Sequence, residues 1–375
     1  MAASNFQEHF SMIEDPRQEW KIAHKLYDII FLTVCAVIGG CDGWDEIEDF
    51  GEDWFDWLKG YGDFSNGVPS RDTIARTMSR IDADQLQRTF IAWMQSCHQN
   101  TDGAVIAIDG KTVRRSFDKS KDKGPIHMVN AFCTANQQVL GQCKTEEKSN
   151  EITAIPELLK LLDVRGCIVT IDAMGCQRKI AEQIIDGEAD YILAVKRNQE
   201  RLHQAFQRHF PAPKLLQLHK TDADIYMTDE KAHGREELRQ YIVFETFDEF
   251  VDLSFEWKGM KSIGIAISTR TEPGHATDIA VRYYISSAQL SAKQFGEAVR
   301  SHWGVESSLH WCLDVAMYED DCRIRRGEGA ENMAAIRQVA LNLLRKESSM
   351  KAGIKRKRQR AGRNEDYLSK VIEAA

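Results

Sequence analysis

The sequence lacks the short motifs that would assign a function directly. Its nine cysteines form no CxxC pair, and neither a GxSxG nor an HExxH pattern occurs. Structural zinc, a serine nucleophile on a strained turn and a zinc-protease site are therefore all disfavoured. The odd cysteine count predicts reduced thiols in a cytosolic protein rather than a disulfide framework.

Long hydrophobic runs are also absent. The longest, Ile29 to Gly40, is about half of the roughly 20 apolar residues that a membrane-spanning helix requires, and Asp28 precedes it. The first 25 residues show no basic start followed by an apolar stretch and a small-residue cleavage site, as a signal peptide would. We therefore expect no membrane association and a cytoplasmic location.

An overall excess of positive charge is missing as well, since the formal net charge is −8. The charge is unevenly distributed, however. Residues 1–70 contain 14 acidic and 4 basic side chains, whereas residues 323–363 contain 3 acidic and 13 basic ones. The basic stretch could follow the phosphates of DNA. A solvated, partly disordered tail is the competing interpretation of its KAGIKRKRQRAGRN segment.

The length and composition allow one large domain with additions, or two domains, because 375 residues at 43% hydrophobic content can bury a large core. Residues 16–88 follow the helix period, and Ser70 offers a helix start. We expect a helical N-terminal domain over residues 1–88, a larger second domain over 89–345 and a basic C-terminal tail over 346–375.

The central region alternates strands and helices. Buried strands are predicted at AVIAID, which ends in Asp109, and at CIVTIDA, which contains Asp172; IHMVNAFCT and VLGQCKT form a hairpin between them. Asn150 is the expected cap of a helix over residues 151–163. The order is three strands, helix, strand, helix, strand, helix. It matches the ribonuclease-H-like fold, an α/β architecture with a mixed sheet flanked by helices.

Three acidic residues come from three separate parts of this pattern. In a ribonuclease-H-like sheet the strands of Asp109 and Asp172 are central neighbours, and Glu306 on a later helix can point at them. Mg²⁺ takes oxygen ligands and keeps several waters, so a few converging carboxylates suffice to hold it. Nucleotide binding and a structural ion pair are competing interpretations, but no phosphate-cradling glycine pattern follows either strand.

The interval between Asp172 and Glu306 is longer than one strand and one helix require. We therefore expect a β-rich insertion at about residues 215–287, with strands at ELRQYIVFE, SIGIAIST and DIAVRYYIS. The pattern becomes helical again from Ser291, and Gly304 is expected to separate two helices.

Two histidines flank Glu306 at four-residue spacing. On a continuous helix, His302, Glu306 and His310 could suggest a zinc site. The favoured interpretation is that both histidines are hydrogen-bonded packing elements.

Six segments carry a resemblance that goes further than spacing. They are IAIDGKTVRRSFD, HMVNAFC, EEKSNEITAIPELL, VTIDAMGCQRKIAEQI, ADYILAVKRNQ and HWGVESSLHWCLDVAMYEDDCRIR. These segments resemble the H-repeat-associated (Rhs-element-linked) insertion-sequence transposases of bacteria, which belong to the DDE transposases. Residues 15–82 also resemble the helical domain that precedes the catalytic core in that family, so the resemblance covers nearly the whole chain.

The resemblance implies an enzyme with a ribonuclease-H-like core that cuts and joins double-stranded DNA at element terminal repeats and in target DNA. Asp109, Asp172 and Glu306 would be its first, second and third metal ligands, holding two Mg²⁺ or Mn²⁺ ions. Because two element ends must be brought together, we expect a homodimer or a larger assembly on DNA, associated with the nucleoid.

Basic, polar and aromatic residues near these positions are candidates for DNA contacts, although each charge could equally be an ordinary surface charge. Trp303 or Trp311 could stack on an extruded base, but core packing is the favoured interpretation. For HGREELR at residues 233–239, a strand edge is favoured over a DNA contact. The charged and polar candidates are Lys111, Arg114, Arg115, Lys196, Asn198, Gln199, Arg323, Arg325 and Arg326.

One motif departs from related transposases that have a β insertion. These carry Tyr, Arg and Lys at seven before, four before and seven after the catalytic Glu, where this chain has Val299, His302 and Leu313. The hairpin-ended DNA intermediate of that subgroup is therefore not inferred. Two other functions stay open: a structure-specific nuclease that cuts without joining, and a domesticated or inactive DNA-binding protein.

Overall fold

A computed structural model describes residues 2–97, 102–117, 124–145, 151–211, 215, 223–232, 235–272 and 277–374. Its central feature is a nine-stranded sheet with the order β3-β2-β1-β4-β5-β9-β8-β7-β6. The strands are β1 (Val105–Thr112), β2 (His127–Cys133), β3 (Gln138–Thr145), β4 (Ile168–Ile171), β5 (Asp190–Val195), β6 (Asp224–Ala232), β7 (Arg235–Glu245), β8 (Ser262–Thr271) and β9 (Asp278–Ser286).

The half of the sheet from β3 to β5 has the predicted ribonuclease-H-like topology. β1 pairs with β2 in antiparallel and with β4 in parallel orientation, and β4 pairs in parallel with β5. Ile108 of β1 and Ile171 of β4 are buried on one face, and Ala107 and Thr170 are buried on the other, as expected for central strands covered on both faces. The fold-class prediction is confirmed.

The β-rich insertion extends this same sheet. β9 pairs with β5, and β6 to β9 continue outward as antiparallel neighbours. All three strands predicted from sequence are present. β6 was missed because its sequence DIYMTDEKA is rich in charge. The strand-edge interpretation of residues 233–239 holds for β7 from Arg235 onward; His233 and Gly234 lie outside the described residues, as does the predicted cap Asn150.

Helices cover the sheet and build a second core at one side of it. The six before β1 are α1 (Ala2–Phe10), α2 (Leu26–Gly39), α3 (Trp44–Asp53), α4 (Phe55–Leu58), α5 (Arg71–Met78) and α6 (Ala83–Cys97). The others are α7 (Glu151–Leu161), α8 (Arg178–Asp186), α9 (Glu200–His209), α10 (Glu249–Ser254), α11 (Ala292–Val305), α12 (Gly329–Lys346), α13 (Ile354–Ala361) and α14 (Glu365–Glu373).

The centre of the helical core is α2, which is apolar on every side. Its residues Leu26 to Ile38 are all buried, as expected for a helix surrounded by protein. It ends at Gly40, whose φ of 104° provides a left-handed C-cap. No single helix in the described ranges is long and apolar enough to cross a membrane; α2 and α3 together meet that test but bend by 96° between them.

The C-terminal segment is folded rather than a solvated tail. α13 and α14 pack with α2 and α12, and Leu368, Val371 and Ile372 are buried in the same core as α2. Lys357 and Arg358 of the basic run are also buried. The predicted boundary at residue 88 falls within α6, and the division of the chain into three domains stays a prediction.

The predicted break at Gly304 is wrong. α11 begins with a capping box formed by Ser291 and Gln294, runs through Gly304 and continues into π-helical turns over Glu306–His310 and Cys312–Ala316. Burial of Val305, Leu309 and Leu313 in the helical core stabilises the continuous helix. This packing outweighs the roughly 1 kcal/mol by which glycine disfavours a helix relative to alanine.

Candidate active site

Asp109 and Asp172 lie side by side at the centre of the sheet. In the parallel pairing of β1 with β4, Ile108 is opposite Ile171, and each Asp is the next residue of its chain. Asp109 is the fifth residue of β1, whereas Asp172 comes directly after β4. The predicted topology therefore brings the first two carboxylates together.

Glu306, which directly follows α11, lines the same cavity as the two aspartates. α11 packs across β1 and β4, and one turn before Glu306 the ring Nδ1 of His302 lies 3.0 Å from Thr170 Oγ1 on β4. This contact fixes the helix above the strand that leads to Asp172. All three carboxylates line one cavity of about 300 Å³.

The electrostatics of Asp109 reflect an uncompensated acidic cluster. Burial raises the pKa of its carboxyl to about 7, and the negative charges of Asp172, Glu151 and Glu306 act in the same direction. The hydrogen bond from the Gly110 N–H to Asp109 Oδ1 opposes this shift only in part. A cation placed among these carboxylates would favour the ionised form.

The three carboxylates supply the oxygen ligands that a hard divalent cation such as Mg²⁺ prefers. Asp172 is oriented by two backbone N–H groups, of Met174 at 2.9 Å and Gly175 at 3.4 Å, on its Oδ1. Across the described ranges no three His, Cys, Asp or Glu side chains are close enough to form a ready ligand set. The three carboxylates would have to turn toward one another to hold a metal ion.

Comparison with known proteins adds the family. Residues 100–343 match the family model described as "Transposase DDE domain", and residues 7–94 match the one described as "DDE_Tnp_1-associated". The chain belongs to the transposase DDE domain family.

Relatives of nearly equal length agree with this assignment. The "H repeat-associated putative transposase YhhI" of Escherichia coli (strain K12) is 52% identical over 99% of this chain and 98% of its own. The "Putative transposase YncI" of Escherichia coli O157:H7 is 54% identical over 99% of this chain and 95% of its own. The resemblance to H-repeat-associated transposases is confirmed.

A solved structure shows a more distant similarity. It is described as the cryo-EM structure of the piggyBac transposase synaptic complex with hairpin DNA, and it covers 99% of this chain and 80% of its own. With a TM-score of 0.46 and 13% sequence identity, it is too distant to bear on the site of this DDE transposase family member.

Lys111, one of the residues predicted to contact DNA, is buried in the structure. Its side chain is 7% exposed, and its Nζ lies 2.7 Å from Asp314 and 2.8 Å from Glu319. Arg114 and Arg115, in contrast, are largely exposed although they pair with Asp320 and Asp321. Lys111 therefore belongs to a buried ion cluster, whereas Arg114 and Arg115 remain candidates for phosphate contacts.

Asn198 and Gln199 have structural contacts. The amide of Asn198 donates to the carbonyl of Ala173 at 2.6 Å, and that of Gln199 donates to the carbonyl of Cys176 at 2.7 Å. Both bonds fix the loop that follows Asp172. They therefore hold the backbone next to Asp172 in place.

The remaining basic candidates lie at the surface. Lys196 is exposed and lines the cavity of the three carboxylates. Arg325 stacks on Phe117 and donates to the carbonyl of Arg115, so it is partly fixed. Arg323 and Arg326 are exposed.

Two buried contacts beside Asp109 were not recognised in the sequence. His127 Nε2 lies 2.5 Å from Glu151 Oε1, and a Cβ on Gly110 would collide with both side chains. Glycine is therefore required directly after Asp109. No local signal reveals this pair, because β2 and α7 bring the two residues together only in the fold.

His310 is the second such contact. Its Nδ1 lies 3.9 Å from Asp109 Oδ2. Burial lowers the pKa of His310 to about 4, and the positive charge of Lys111 acts in the same direction. A neutral imidazole therefore faces Asp109 at neutral pH. The four-residue spacing of HWGVESSLH was the signal in the sequence.

The expectation that Trp303 and Trp311 pack in the core is wrong. Trp303 is 45% exposed and Trp311 is 57% exposed. The helix that carries Glu306 buries the side bearing Val305 and Leu309 and turns both tryptophans outward.

Proposed function

We propose that this DDE transposase family member cuts double-stranded DNA at the ends of its insertion element and joins the freed ends to target DNA. The observation that carries the proposal is the convergence of Asp109, Asp172 and Glu306 from β1, β4 and α11 on one cavity. Both reactions are in-line displacements at phosphorus, so one site can perform them in turn.

In the first reaction the oxygen of a water molecule bonds to the phosphorus at the element end, and the bond from phosphorus to the 3′-oxygen breaks. One water proton ends on the 3′-oxygen, which leaves as a hydroxyl, and the other passes to solvent as the new 5′-phosphate ionises. In the second reaction that 3′-hydroxyl attacks a target phosphodiester, and the target's own 3′-oxygen leaves. No external energy source or oxidant is needed, because hydrolysis of a phosphodiester is downhill and joining exchanges one phosphodiester for another.

Asp109, Asp172 and Glu306 would hold two Mg²⁺ or Mn²⁺ ions, which, when bound, activate the attacking oxygen and stabilise the leaving one. Gly110 and the Met174 and Gly175 N–H groups orient the two aspartates. His302 holds Glu306 above β4 through Thr170.

The DNA would lie across the exposed side of this cavity. Lys196 at its wall, with Arg114, Arg115, Arg323 and Arg326 beyond it, are the proposed phosphate contacts. Because two element ends must meet for joining, we propose that the chain acts as a dimer or a larger assembly on DNA.

The test is cleavage and joining of DNA carrying the flanking ends of the gene itself, in Mg²⁺ or Mn²⁺. Asp172→Ala and Glu306→Ala should each abolish joined products, whereas Glu182→Ala, an exposed carboxylate on α8, should leave them unchanged. Mn²⁺ binding followed by electron paramagnetic resonance gives an independent readout, and both active-site variants should weaken it.

The other outcomes identify other functions. Nicks without joined products would show a structure-specific nuclease. Specific binding without any cut, under conditions in which the assembly forms, would show a domesticated DNA-binding protein. Joined products that persist in both variants would overturn the assignment of the three carboxylates.

A further inference from the structure

A second cavity opens beside the one that holds the three carboxylates. Its volume is about 520 Å³, and it lies over the outer strands β7 to β9 next to α11. The two cavities share four lining residues: Arg282, Tyr284, Val299 and Trp303. The two cavities are therefore adjacent, and Arg282 and Trp303 lie at the boundary between them.

The indole of Trp303 is both exposed and held in place. It is 45% exposed, yet the guanidinium of Arg282 lies over its ring at 4.4 Å from the centroid. The buried Tyr284, whose pKa burial raises to about 12, hydrogen-bonds to the Trp303 side chain. An exposed aromatic group with its orientation fixed loses little conformational entropy when a flat ligand stacks on it.

Arg282 differs from the other arginines around this cavity. Arg239 and Arg300 pair with Glu230, and Arg270 pairs with Glu272. Among the described residues no ion pair involves Arg282; besides the Trp303 ring, its contact is Ser268 Oγ at 3.4 Å. Its charge is not neutralised by a carboxylate partner, so the guanidinium is available for a charge-assisted hydrogen bond to a phosphate.

We propose that Arg282 and Trp303 form a binding site for one unpaired nucleotide of the DNA strand next to the catalytic cavity. The base stacks on the exposed part of the indole, and the phosphate binds the guanidinium. The nucleotide must be unpaired because both faces of a base inside a duplex are covered by its neighbours. This inference rests on the proposed function, since it assumes that DNA enters the adjoining cavity.

The position of Trp303 gives the site its role. It precedes Glu306 by three residues on the same helix, so a base stacked there lies beside the carboxylate cavity. The site would hold the strand after its base pairs open and keep the reacting phosphate in place. Trp311, on the π-helical continuation of α11, lines neither cavity.

The test measures binding without metal ions, in EDTA. The probe is a single-stranded oligonucleotide of about 15 residues with one 2-aminopurine, whose fluorescence reports stacking; the same sequence as a blunt duplex is the comparison. Trp303→Ala should weaken single-strand binding about 5- to 100-fold and change duplex binding by less than about twofold. Trp303→Phe should recover part of the loss, because it keeps an aromatic face.

Arg282→Gln tests the phosphate contact separately. It should reduce the slope of log affinity against log salt by about 0.7 for the single strand. Trp311→Ala is the matched control, an exposed tryptophan on the same helix, and should bind as the native protein does. If Trp303→Ala proves unfolded by circular dichroism, Trp303→Phe and Arg282→Gln decide the result.

The inference fails if single-strand affinity is unchanged in Trp303→Ala, or if Trp311→Ala loses as much. Cleavage and joining assays in Mg²⁺ on the same preparations separate this failure from that of the proposed function. Native protein that joins DNA while Trp303→Ala binds normally would overturn only the nucleotide site. Native protein that binds through Trp303 but neither cuts nor joins would overturn only the proposed reaction.

Discussion

Lys111 Nζ lies 2.8 Å from Glu319 Oε2, and both side chains are buried, at 7% and 2% exposure. Lys111 is two residues beyond Asp109 on β1, whereas Glu319 begins the short 3₁₀ turn after the helix of Glu306. The pair therefore ties the strand of the first carboxylate to the segment that follows the third. Burial alone would lower the pKa of Lys111, but the charges of Glu319 and Asp314 outweigh it and raise that pKa.

Replacing Lys111 with methionine should destabilise the protein by about 3–5 kcal/mol, because Glu319 would remain buried without its cation. The measurement is the free energy of unfolding in urea. Lys59→Met is the matched control, since Lys59 pairs with Asp56 on the surface and its loss should cost less than about 0.5 kcal/mol.

Adding Glu319→Gln to Lys111→Met should recover part of the lost stability, since the uncompensated charge is removed. A Lys111→Met protein as stable as the native one would show that the cluster contributes nothing to folding. A normal urea midpoint together with lost DNA joining would instead mean that Lys111 acts on the reaction directly.

The second prediction concerns pH in the absence of metal ions. The pKa of Asp109 is about 7 in the folded protein against an ordinary value of 3.8. Between these values the folded state keeps a proton that the unfolded chain has lost, so the contribution of this group to stability falls as pH rises and is constant above about pH 8.

Asp109→Asn stays neutral at every pH and should remove this dependence. In EDTA, the native protein should lose roughly 1–4 kcal/mol of stability relative to the variant as pH rises from about 4 to about 8. The difference between the two proteins cancels the other titrating groups. A difference that does not change with pH would mean that Asp109 titrates normally.

The central topology and the position of the carboxylates could be predicted because they depend on local patterns. Buried strands end at or beside Asp109 and Asp172, and the order of strands and helices defines which strands are neighbours. The family resemblance identified Glu306 as their partner. The predictions that were wrong concern residues whose contacts are distant in the sequence. Lys111, for example, pairs with carboxylates about 200 positions later in the chain.

Gly304, Trp303 and the C-terminal charges illustrate the same limit. Helix propensity suggested a break at Gly304, but packing of the residues after it decides the outcome. Hydrophobicity suggested burial of Trp303, but the helix buries its opposite side. The basic run could not be divided into buried and exposed residues, because Arg358 bonds to groups in α2 and beyond it, more than 300 positions away.

Arg358 gives the third prediction. Its guanidinium donates to the carbonyl of Val37 at the end of α2, to the Ala316 carbonyl and to Asp42, at 3.0 Å from Val37 and 3.1 Å from Asp42. Arg358→Met removes the guanidinium donor from all three acceptors and should cost about 3 kcal/mol or more of unfolding free energy. Arg356→Met, at an exposed position of the same helix, should cost less than about 0.5 kcal/mol. Equal effects of the two changes would contradict the buried role of Arg358.

The exposed charges of α13 give the fourth prediction, which concerns DNA rather than stability. Lys355, Arg356 and Arg360 are exposed, so they can bind phosphates without disturbing the core. Replacing all three with glutamine should weaken binding to duplex DNA of any sequence. It should also reduce the slope of log affinity against log salt by up to about 0.9 for each phosphate that the variant no longer neutralises.

The matched control removes the same charge elsewhere, at the exposed Lys21, Lys25 and Lys59 of the acidic N-terminal region. If both triple variants bind DNA with equally reduced affinity, only the net charge matters and α13 does not touch DNA. A larger decrease in affinity and a smaller salt slope for the α13 variant, with unchanged unfolding in urea, would place the helix on the DNA. Truncation of the whole segment could not make this distinction, because it would also remove Arg358 and the buried residues of α14 from the core.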